Sequence, residues 1–282
     1  ISASSLKTLE ANNALREIKK EHYRVALLEE REEKKPLTVD QEKVVNEFRN
    51  SSDKVYLLHG VTGSGKTEVY MEIIEKLLLE EKESIVLVPE ISLTEQIVSR
   101  FQKRFSNNIA ILHSRLSDGE KYDEWRRIAR GEVKIVIGAR SAIFAPLKNI
   151  GVIIIDEEHS DSYKQDSSPR YDAIDVANFR AKELGIPLVL ASATPSLESK
   201  ARTLKDVYHL VTSNKRANNA PLPKTYLIDM KYEGGKFLSK ELISKINDRL
   251  AKKEQVILLL NRRGFSTFVT CSNCGYTYKC PN

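Results

Sequence analysis

The sequence VYLLHGVTGSGKT occupies residues Val55 to Thr67. Its apolar first half predicts a buried strand that ends at Gly60, and residues 68–79 predict a helix. The spacing G-x-x-x-x-G-K-T that starts at Gly60 is the pattern of a phosphate-binding loop between a strand and a helix. An ordinary glycine-rich turn is the alternative, but it gives no reason for a lysine and a threonine in this register.

Each residue type in this loop suits a bound phosphate. Glycines let backbone N–H groups approach phosphate oxygens, because no Cβ stands in the way. The unpaired N–H groups at the start of the next helix also favour an anion. Lys66 can reach the β- and γ-phosphates, and the Thr67 hydroxyl can ligate Mg²⁺. The predicted nucleotide-binding residues of the loop are Gly60, Val61, Thr62, Gly63, Ser64, Gly65, Lys66 and Thr67.

Gln41 is a further candidate, with two interpretations. A helix is predicted to begin after Pro36, with Thr38 as its N-cap and Gln41 in the third position of a capping box. The Gln41 amide is then a structural cap. The functional interpretation is that this amide contacts the adenine edge of a nucleotide.

An acidic quartet supplies the second half of the predicted site. Asp156-Glu157-Glu158-His159 follows the apolar strand Val152–Ile155. Carboxylates at the tip of a buried strand are costly unless a charge or a metal compensates them. Beside a phosphate-binding loop, Mg²⁺ gives that compensation through Asp156, and Glu157 can position and polarise the attacking water. The alternative for the quartet is an acidic turn that caps a helix, and for His159 a hydrogen bond to a neighbouring loop.

Length and charge limit the possible classes of protein. The 282 residues suffice for two domains, and no run approaches the ~18 apolar residues of a membrane span. Residues 212–282 hold 13 Lys and Arg against 5 Asp and Glu, whereas residues 1–211 hold 32 against 34. The basic part suits a polyanion such as nucleic acid, and a solvated basic surface fits the charge equally well. Since the chain begins at Ile1, we expect a fragment or a processed product.

The order of predicted elements indicates the fold class. Strands alternate with helices from residue 55 to 195, which predicts an α/β fold with a doubly wound parallel sheet. In the predicted helix 118–130, Tyr122, Trp125 and Ile128 share one face, and we expect them to pack in the core rather than stack on bases.

Three domains are predicted. Residues 1–35 form a helical connector or the remnant of an upstream domain, residues 36–212 the first lobe, and residues 213–282 the start of a second lobe. In the last, strands are predicted at Tyr226–Asp229 and Val256–Leu260, with a helix at Lys240–Lys252 between them.

Several segments resemble the ordered motifs of superfamily 2 helicases, and more specifically those of the PriA family, the bacterial primosomal protein N′. The resemblance runs from about residue 36 to the end. The helicase-like segments are 60–67, 89–94, 138–142, 156–159 and 192–195. The segments that resemble PriA in particular are Asp156-Glu157-Glu158-His159, Ser162–Gln165, Arg170-Tyr171, Asn261–Phe265 and Cys271–Gly275.

This resemblance implies a RecA-like P-loop helicase lobe, with helices on both faces of a parallel sheet, and the beginning of a second lobe. It implies an ATP- and Mg²⁺-dependent DNA helicase that moves 3′ to 5′ and restarts stalled replication forks. The implied partners are stalled forks, single-stranded DNA, primosome proteins and single-strand-binding proteins. The implied location is the bacterial cytoplasm, where the protein would associate with the nucleoid and not with a membrane.

The resemblance also assigns roles by position. The residues expected to couple hydrolysis to lobe movement are His159, Ser192, Ala193 and Thr194. The residues expected to contact DNA are Arg140, Ser141, Tyr163, Lys164, Arg170 and Tyr171. In the loop from Tyr163 to Tyr171, the tyrosines offer stacking faces and the basic residues offer phosphate contacts. The alternative is that the two tyrosines are ordinary surface or packing residues.

The three cysteines suggest a metal site rather than disulfides, because their number is odd and they lie within ten residues. Cys271-x-x-Cys274 is half of a zinc knuckle, and Cys280 looks like the start of a second pair. The family binds two zinc ions with a longer cluster. We therefore expect Zn²⁺ in the full-length parent and an incomplete site in this chain.

The resemblance further implies that the second lobe donates an arginine to hydrolysis, and Arg262 and Arg263 lie too early to be that residue. We therefore expect this chain to bind ATP–Mg²⁺ without unwinding DNA on its own. One alternative is a P-loop ATPase that remodels proteins, distinguished by whether DNA stimulates hydrolysis. The other is a non-catalytic zinc-ribbon binding module with a vestigial nucleotide site. Four intact residues argue against it: Lys66, Thr67, Asp156 and Glu157.

Overall fold

The computed structural model describes most of the chain. It covers residues 3–12, 14, 23–24, 36–50, 55–93, 95–217, 221, 223–233, 238–259, 269–270 and 277–278. The chain forms two compact units, Ile1–Pro221 and Leu222–Asn282. In the described parts, no helix combines the length and apolarity that crossing a membrane would require.

The first unit contains one large sheet and a small hairpin. The strands are β1 (Val55–Gly60), β2 (Glu83–Leu87), β3 (Ile109–Leu112), β4 (Ile135–Gly138), β5 (Ile150–Asp156), β6 (Lys164–Gln165), β7 (Tyr171–Asp172), β8 (Leu188–Ser192) and β9 (His209–Ser213). Seven of them form a sheet in the order β3-β4-β2-β5-β8-β1-β9, with every pairing parallel. β6 and β7 pair antiparallel as a separate hairpin.

Helices cover the sheet. Those of the first unit are α1 (Ala3–Ala11), α2 (Val39–Asn50), α3 (Lys66–Leu79), α4 (Glu95–Phe105), α5 (Asp118–Arg130), α6 (Ala173–Leu184) and α7 (Leu197–Leu204). Short 3₁₀ turns occupy Ser106–Asn108, Arg140–Phe144 and Asp161–Tyr163.

Both faces of the sheet are buried. Successive residues of a strand point to opposite sides of the sheet, so each strand contributes side chains to two cores. On β1, Tyr56 and Leu58 join a core that α2, α3 and α4 complete. Leu57 between them joins the opposite core, with residues of α5 and α6. A parallel sheet covered on both faces confirms the predicted α/β lobe. It also places the carboxyl ends of β1, β8 and β5 side by side at one edge.

Helix α5 turns a different face to the sheet than the sequence predicts. Ile128 is buried, but Tyr122 and Trp125 are 59% and 41% exposed, so the prediction that these two aromatics pack in the core is wrong. The buried side carries Glu124, whose carboxylate accepts the main-chain N–H of Ile111 at 2.8 Å. Since β3 is an edge strand, this carboxylate satisfies a backbone group at an edge of the sheet.

The first unit extends beyond residue 212, where we placed the domain boundary. Ser213 is the last residue of β9, and the Ala217 N–H donates to the Gly63 carbonyl at 2.9 Å. Residues 213–217 therefore pack with the phosphate loop, and the units divide after Pro221. The separation of residues 1–35 from the first lobe stays a prediction.

In the second unit, α8 (Lys240–Ala251) confirms the predicted helix. A 3₁₀ turn occupies Met230–Glu233, and the short strands β10 (Val269–Thr270) and β11 (Thr277–Tyr278) pair antiparallel. The predicted strands are wrong, since residues 226–229 and 256–259 have no regular secondary structure. A short apolar run becomes a strand only when another strand accepts its backbone hydrogen bonds, and no described strand pairs with either run.

Candidate active site

The phosphate loop owes its shape to two glycines. Gly63 and Gly65 both have φ of +81°, a conformation that other L residues rarely adopt. A Cβ on Gly65 would also lie 2.3 Å from the Gln41 amide nitrogen. The loop leads directly into α3, whose first residue is Lys66. The strand, loop and helix predicted from this sequence are thus confirmed.

Gln41 supports the loop from the side. Its amide oxygen accepts the Thr38 N–H at 2.8 Å, and the Thr38 hydroxyl accepts the Gln41 N–H at 3.3 Å, which confirms the capping box. The Gln41 amide nitrogen donates to the Ser64 carbonyl at 3.0 Å. The side chain therefore links the start of α2 to the phosphate loop. Contact with adenine stays a prediction.

The loop presents donors suited to a phosphate. The Lys66 ammonium donates to the Gly60 carbonyl at 3.1 Å, so it lies over the loop. The Ser64 hydroxyl is buried, and among the described residues it has no hydrogen-bond partner. A lysine over the loop, a buried unpaired hydroxyl and two glycines without a Cβ at the positive-φ positions fit a nucleotide phosphate.

Tyr70 joins the two predicted metal ligands. Its hydroxyl oxygen lies 3.1 Å from Thr67 Oγ1 and 3.0 Å from Asp156 Oδ2. The Tyr70 side chain is fully buried. Burial, and next the negative charge of Asp156, raise the pKa of Tyr70 well above its ordinary value, so the phenol keeps its proton. Thr67 and Asp156 are therefore only two hydrogen bonds apart.

Asp156 and Glu157 lie at the end of β5. The main-chain N–H of Glu157 donates to Asp156 Oδ1 at 3.0 Å, and Glu157 has φ of +46°. Burial raises the pKa of Asp156, and the adjacent charge of Glu157 adds to this effect. A carboxylate that its surroundings disfavour is well suited to a divalent cation. Mg²⁺ takes few protein ligands and keeps waters and phosphate oxygens, so Thr67 and Asp156 fit it.

The carboxyl end of β8 lies between the phosphate loop that follows β1 and the acidic segment that follows β5. Its last residue, Ser192, contacts the acidic segment. His159 Nδ1 lies 2.8 Å from the Ser192 hydroxyl and 3.5 Å from Glu157 Oε2. The Thr194 N–H donates to the same Ser192 hydroxyl at 3.0 Å, with Ala193 between them. The structure thus brings the predicted coupling residues together. Their coupling role stays a prediction.

The comparison with known families decides the assignment. Residues 38–203 match the DEAD/DEAH box helicase family. The chain belongs to that family.

Curated relatives refine the assignment. The chain is 50% identical over 292 residues to the replication restart protein PriA of Bacillus subtilis, an alignment that covers 100% of this chain and 36% of the relative. It is 49% identical over 235 residues to PriA of Synechocystis, covering 80% of this chain and 28% of the relative. The predicted resemblance to PriA is therefore confirmed. The chain spans about a third of the length of the relatives it matches.

Solved structures show weaker likeness. The helicase domain of Pyrococcus furiosus Hef aligns with a TM-score of 0.47 and 20% identity, over 64% of this chain and 38% of that one. RecG bound to a three-way DNA junction aligns with a TM-score of 0.48 and 25% identity, over 64% of this chain and 24% of that one. The family assignment rests on the sequence match.

Glu158 has a structural role that the sequence motifs do not indicate. Its side chain is buried and accepts the Ser196 N–H at 2.7 Å and the Ser199 hydroxyl at 2.9 Å. Ser196 is the N-cap of α7. Glu158 therefore fixes α7 to the end of β5. The N-cap serine is a sequence signal for α7, but its carboxylate partner lies 38 residues away.

The predicted DNA-contact segment is a β-hairpin. Strands β6 and β7 pair, and the turn between them is exposed. Arg140 donates to the Lys164 carbonyl at 2.7 Å and to the Ser162 carbonyl at 3.4 Å, so it holds the base of the hairpin. Ser141 beside it is exposed. The structure therefore places Arg140 and Ser141 next to the hairpin.

The two tyrosines of the hairpin segment differ. Tyr163 is 1% exposed, and its hydroxyl oxygen lies within hydrogen-bond distance of the main-chain oxygens of Asp156 and Leu87. Its ring offers no open face, so the prediction that Tyr163 stacks on DNA is wrong, and the packing alternative is correct. Tyr171 is half-buried and packs edge-on against Phe144, with ring centroids 5.1 Å apart. Lys164 and Arg170 are exposed.

The segment after β9 lies against the phosphate loop, which no sequence signal indicated. The Val61 N–H donates to the Ser213 carbonyl at 3.1 Å. The methylene carbons of Arg216 lie within 4.0 Å of where a Cβ on Gly63 would be. A bulky side chain at position 63 would therefore meet this segment as well as strain the loop.

The predicted zinc ligands Cys271, Cys274 and Cys280 fall outside the described residues. Among the residues that are described, no group of three or more His, Cys, Asp or Glu side chains could hold a metal. The proposed Mg²⁺ ligands Thr67 and Asp156 are not such a group, because they include only one carboxylate. Zinc in the full-length protein stays a prediction.

Proposed function

We propose that this chain is the motor core of an ATP-dependent DNA helicase that acts in the restart of stalled replication forks. The observation that carries the proposal is the hydrogen-bonded path from Thr67 through Tyr70 to Asp156. It joins the phosphate loop to the acidic end of β5 inside one compact unit. A P-loop ATPase needs these two groups together.

In the proposed reaction, each residue has a separate task. Lys66 and the loop N–H groups bind the β- and γ-phosphates, and Thr67 and Asp156 hold the metal. When bound, Mg²⁺ neutralises charge that develops on the phosphate oxygens. Glu157 orients the attacking water and accepts its proton, for which its position next to Asp156 is suited.

Coupling is proposed to pass through β8. The contact of His159 with Ser192 connects the acidic end of β5 to the residues between β8 and α7. Since Glu158 also fixes α7, a shift of the acidic segment would move both elements together. Ala193 and Thr194 lie in this connection, as the family resemblance implies.

DNA contact is proposed for the exposed part of the hairpin segment, with movement from 3′ to 5′ along the strand. Lys164 and Arg170 would contact phosphates, and the accessible part of the Tyr171 ring would stack on a base. Arg140 and Ser141 would position the hairpin and complete the contact. Stalled forks are the proposed substrates, and primosome and single-strand-binding proteins the proposed partners, in the bacterial cytoplasm at the nucleoid.

Two assays test this function. ATP turnover of the full-length protein is measured with increasing single-stranded DNA, and unwinding with forked duplexes that carry a 3′ or a 5′ tail. We expect DNA to stimulate turnover and unwinding to need the 3′-tailed strand. Turnover that DNA does not change would overturn the proposal and favour an ATPase that acts on other substrates.

A further inference from the structure

Tyr70 occupies a position between the two proposed metal ligands that the sequence motifs do not include. It follows Thr67 by three residues in α3, so both side chains lie on the same face of that helix. Its ring is fully buried and lies against Phe101 of α4, with ring centroids 6.2 Å apart. Packing on α4 therefore fixes where the hydroxyl points.

The protons of this path can be assigned from chemistry. An ionised carboxylate only accepts hydrogen bonds, so the Tyr70 hydroxyl donates to Asp156 Oδ2 at 3.0 Å. A phenol has one proton, and at the 3.1 Å contact Tyr70 therefore accepts the hydroxyl proton of Thr67. Thr67 therefore donates a hydrogen bond to Tyr70, and Tyr70 donates a hydrogen bond to Asp156.

This direction matters to a metal ligand. A threonine hydroxyl binds a cation through an oxygen lone pair, and its proton must then point away from the cation. The Tyr70 oxygen receives that proton. On the other side, the Tyr70 hydroxyl and the Glu157 N–H each occupy one oxygen of Asp156, which fixes the orientation of the carboxylate.

We infer that Tyr70 is a positioning residue that orients both Thr67 and Asp156 toward Mg²⁺ in the proposed nucleotide site. The inference rests on the proposed function. Tyr163 differs in kind, although its side chain is equally buried, because its hydroxyl reaches the main-chain oxygen of Asp156 rather than the carboxylate. Removing a side chain that orients a metal ligand commonly lowers metal affinity by about 10- to 100-fold.

The test removes one oxygen atom. Tyr70→Phe keeps the ring that packs on Phe101 and deletes only the hydroxyl. Tyr208→Phe is the matched control, since Tyr208 is also buried and its hydroxyl accepts a hydrogen bond from Arg202, away from the phosphate loop. Both variants are made in the full-length protein. The affinity for a fluorescent ADP analogue is measured in EDTA and over a Mg²⁺ titration.

We expect Tyr70→Phe to raise the Mg²⁺ concentration at half-maximal binding by about 10-fold, the lower end for groups that orient metal ligands. Affinity in EDTA should equal that of the wild type, and saturating Mg²⁺ should restore full affinity. Tyr208→Phe should match the wild type throughout.

Three results would overturn the inference: an unchanged Mg²⁺ midpoint, an equal loss of affinity in EDTA and in Mg²⁺, or the same shift in the Tyr208→Phe control. An equal loss with and without metal would mean that Tyr70 only supports the fold. Failure of the proposed function looks different, because the wild type itself would then show no Mg²⁺-dependent nucleotide binding.

Discussion

The phosphate loop, residues 60–67, and the hairpin segment, residues 161–172, both follow buried strands at the same edge of the sheet, but they present different chemistry. The loop presents backbone N–H groups, whose direction depends on where the glycines stand, together with the Lys66 and Thr67 side chains at the start of α3. The hairpin segment presents side chains, whose direction depends on what packs beneath them. Tyr163 points into the core and Tyr171 lies at the surface against Phe144. The comparison teaches that local sequence determines the first kind of site and tertiary packing the second.

The largest effect is expected when the ATP turnover of residues 1–282 alone is compared with that of the full-length protein. Residues 1–282 contain the phosphate loop and the hairpin segment, and the family resemblance implies that the arginine donated by a second lobe is not among them. Loss of such an arginine costs ~10³–10⁵-fold in turnover in related phosphoryl transfer. ATP turnover with saturating single-stranded DNA, compared with the full-length protein, measures this loss. Unwinding of a forked duplex by residues 1–282 would show that one lobe suffices.

The next effect separates the two tyrosines by stability. Replacing Tyr163 with alanine empties a core position, and we expect it to lower the free energy of unfolding by about 3–5 kcal/mol. Tyr171→Ala, at a half-buried position, should cost much less. Urea unfolding of both variants makes the comparison, with Tyr163→Phe as a control that keeps the ring. Equal losses for Tyr163→Ala and Tyr171→Ala would remove the distinction between the two rings.

A smaller effect sharpens the DNA side of the comparison. Tyr171→Ala should weaken binding of single-stranded DNA by about 1–3 kcal/mol, the value of one stacked base. Tyr122→Ala is the control, because Tyr122 is an exposed tyrosine that lies on α5, outside the hairpin segment. Fluorescence anisotropy with a labelled oligonucleotide measures both. Equal affinities for Tyr171→Ala and the wild type would exclude stacking at this ring.

The smallest effect concerns the acidic end of β5. The pKa of Asp156 lies above its ordinary value of 3.8, chiefly through burial. The folded protein therefore binds this proton more tightly than the unfolded chain, and the stability it contributes at low pH is lost as pH rises through the folded pKa. Compared with Asp156→Asn, the nucleotide-free wild type should lose stability as the pH rises from below 3.8 through the higher pKa of Asp156 in the folded protein. Thermal unfolding of both proteins over a range of pH tests the assignment. A difference in stability that does not change with pH would contradict it.

Much of the nucleotide site could be predicted from the sequence, because its parts are local. Glycines at this spacing predict a phosphate-binding loop, and an apolar strand that ends in carboxylates predicts a metal ligand. Tyr70 could not be found in this way. It follows Thr67 within an apolar helix and reads as a core residue, and its role depends on Asp156, which lies 86 residues away in the chain.

The errors have the same origin. On α5 the aromatic spacing predicted a core face, but the helix turns Glu124 inward to satisfy the backbone of edge strand β3. At Tyr163 the polar neighbours suggest a surface loop, while its hydroxyl lies in the core within hydrogen-bond distance of two main-chain carbonyls. In the second unit, apolar runs suggested strands that no described strand pairs. In each case the outcome depends on tertiary contacts that the local pattern does not contain.

The central claim is that the phosphate loop and the acidic end of β5 form one site with separable tasks. Nucleotide affinity and DNA-stimulated turnover of Lys66→Ala and Glu157→Gln, measured side by side in the full-length protein, test it most directly. We predict that Lys66→Ala loses both Mg²⁺–ATP binding and turnover. Glu157→Gln should keep binding and lose about 10²–10⁴-fold in turnover, as expected when a group that accepts the proton of the attacking water is removed. Undiminished turnover in either variant would contradict the account.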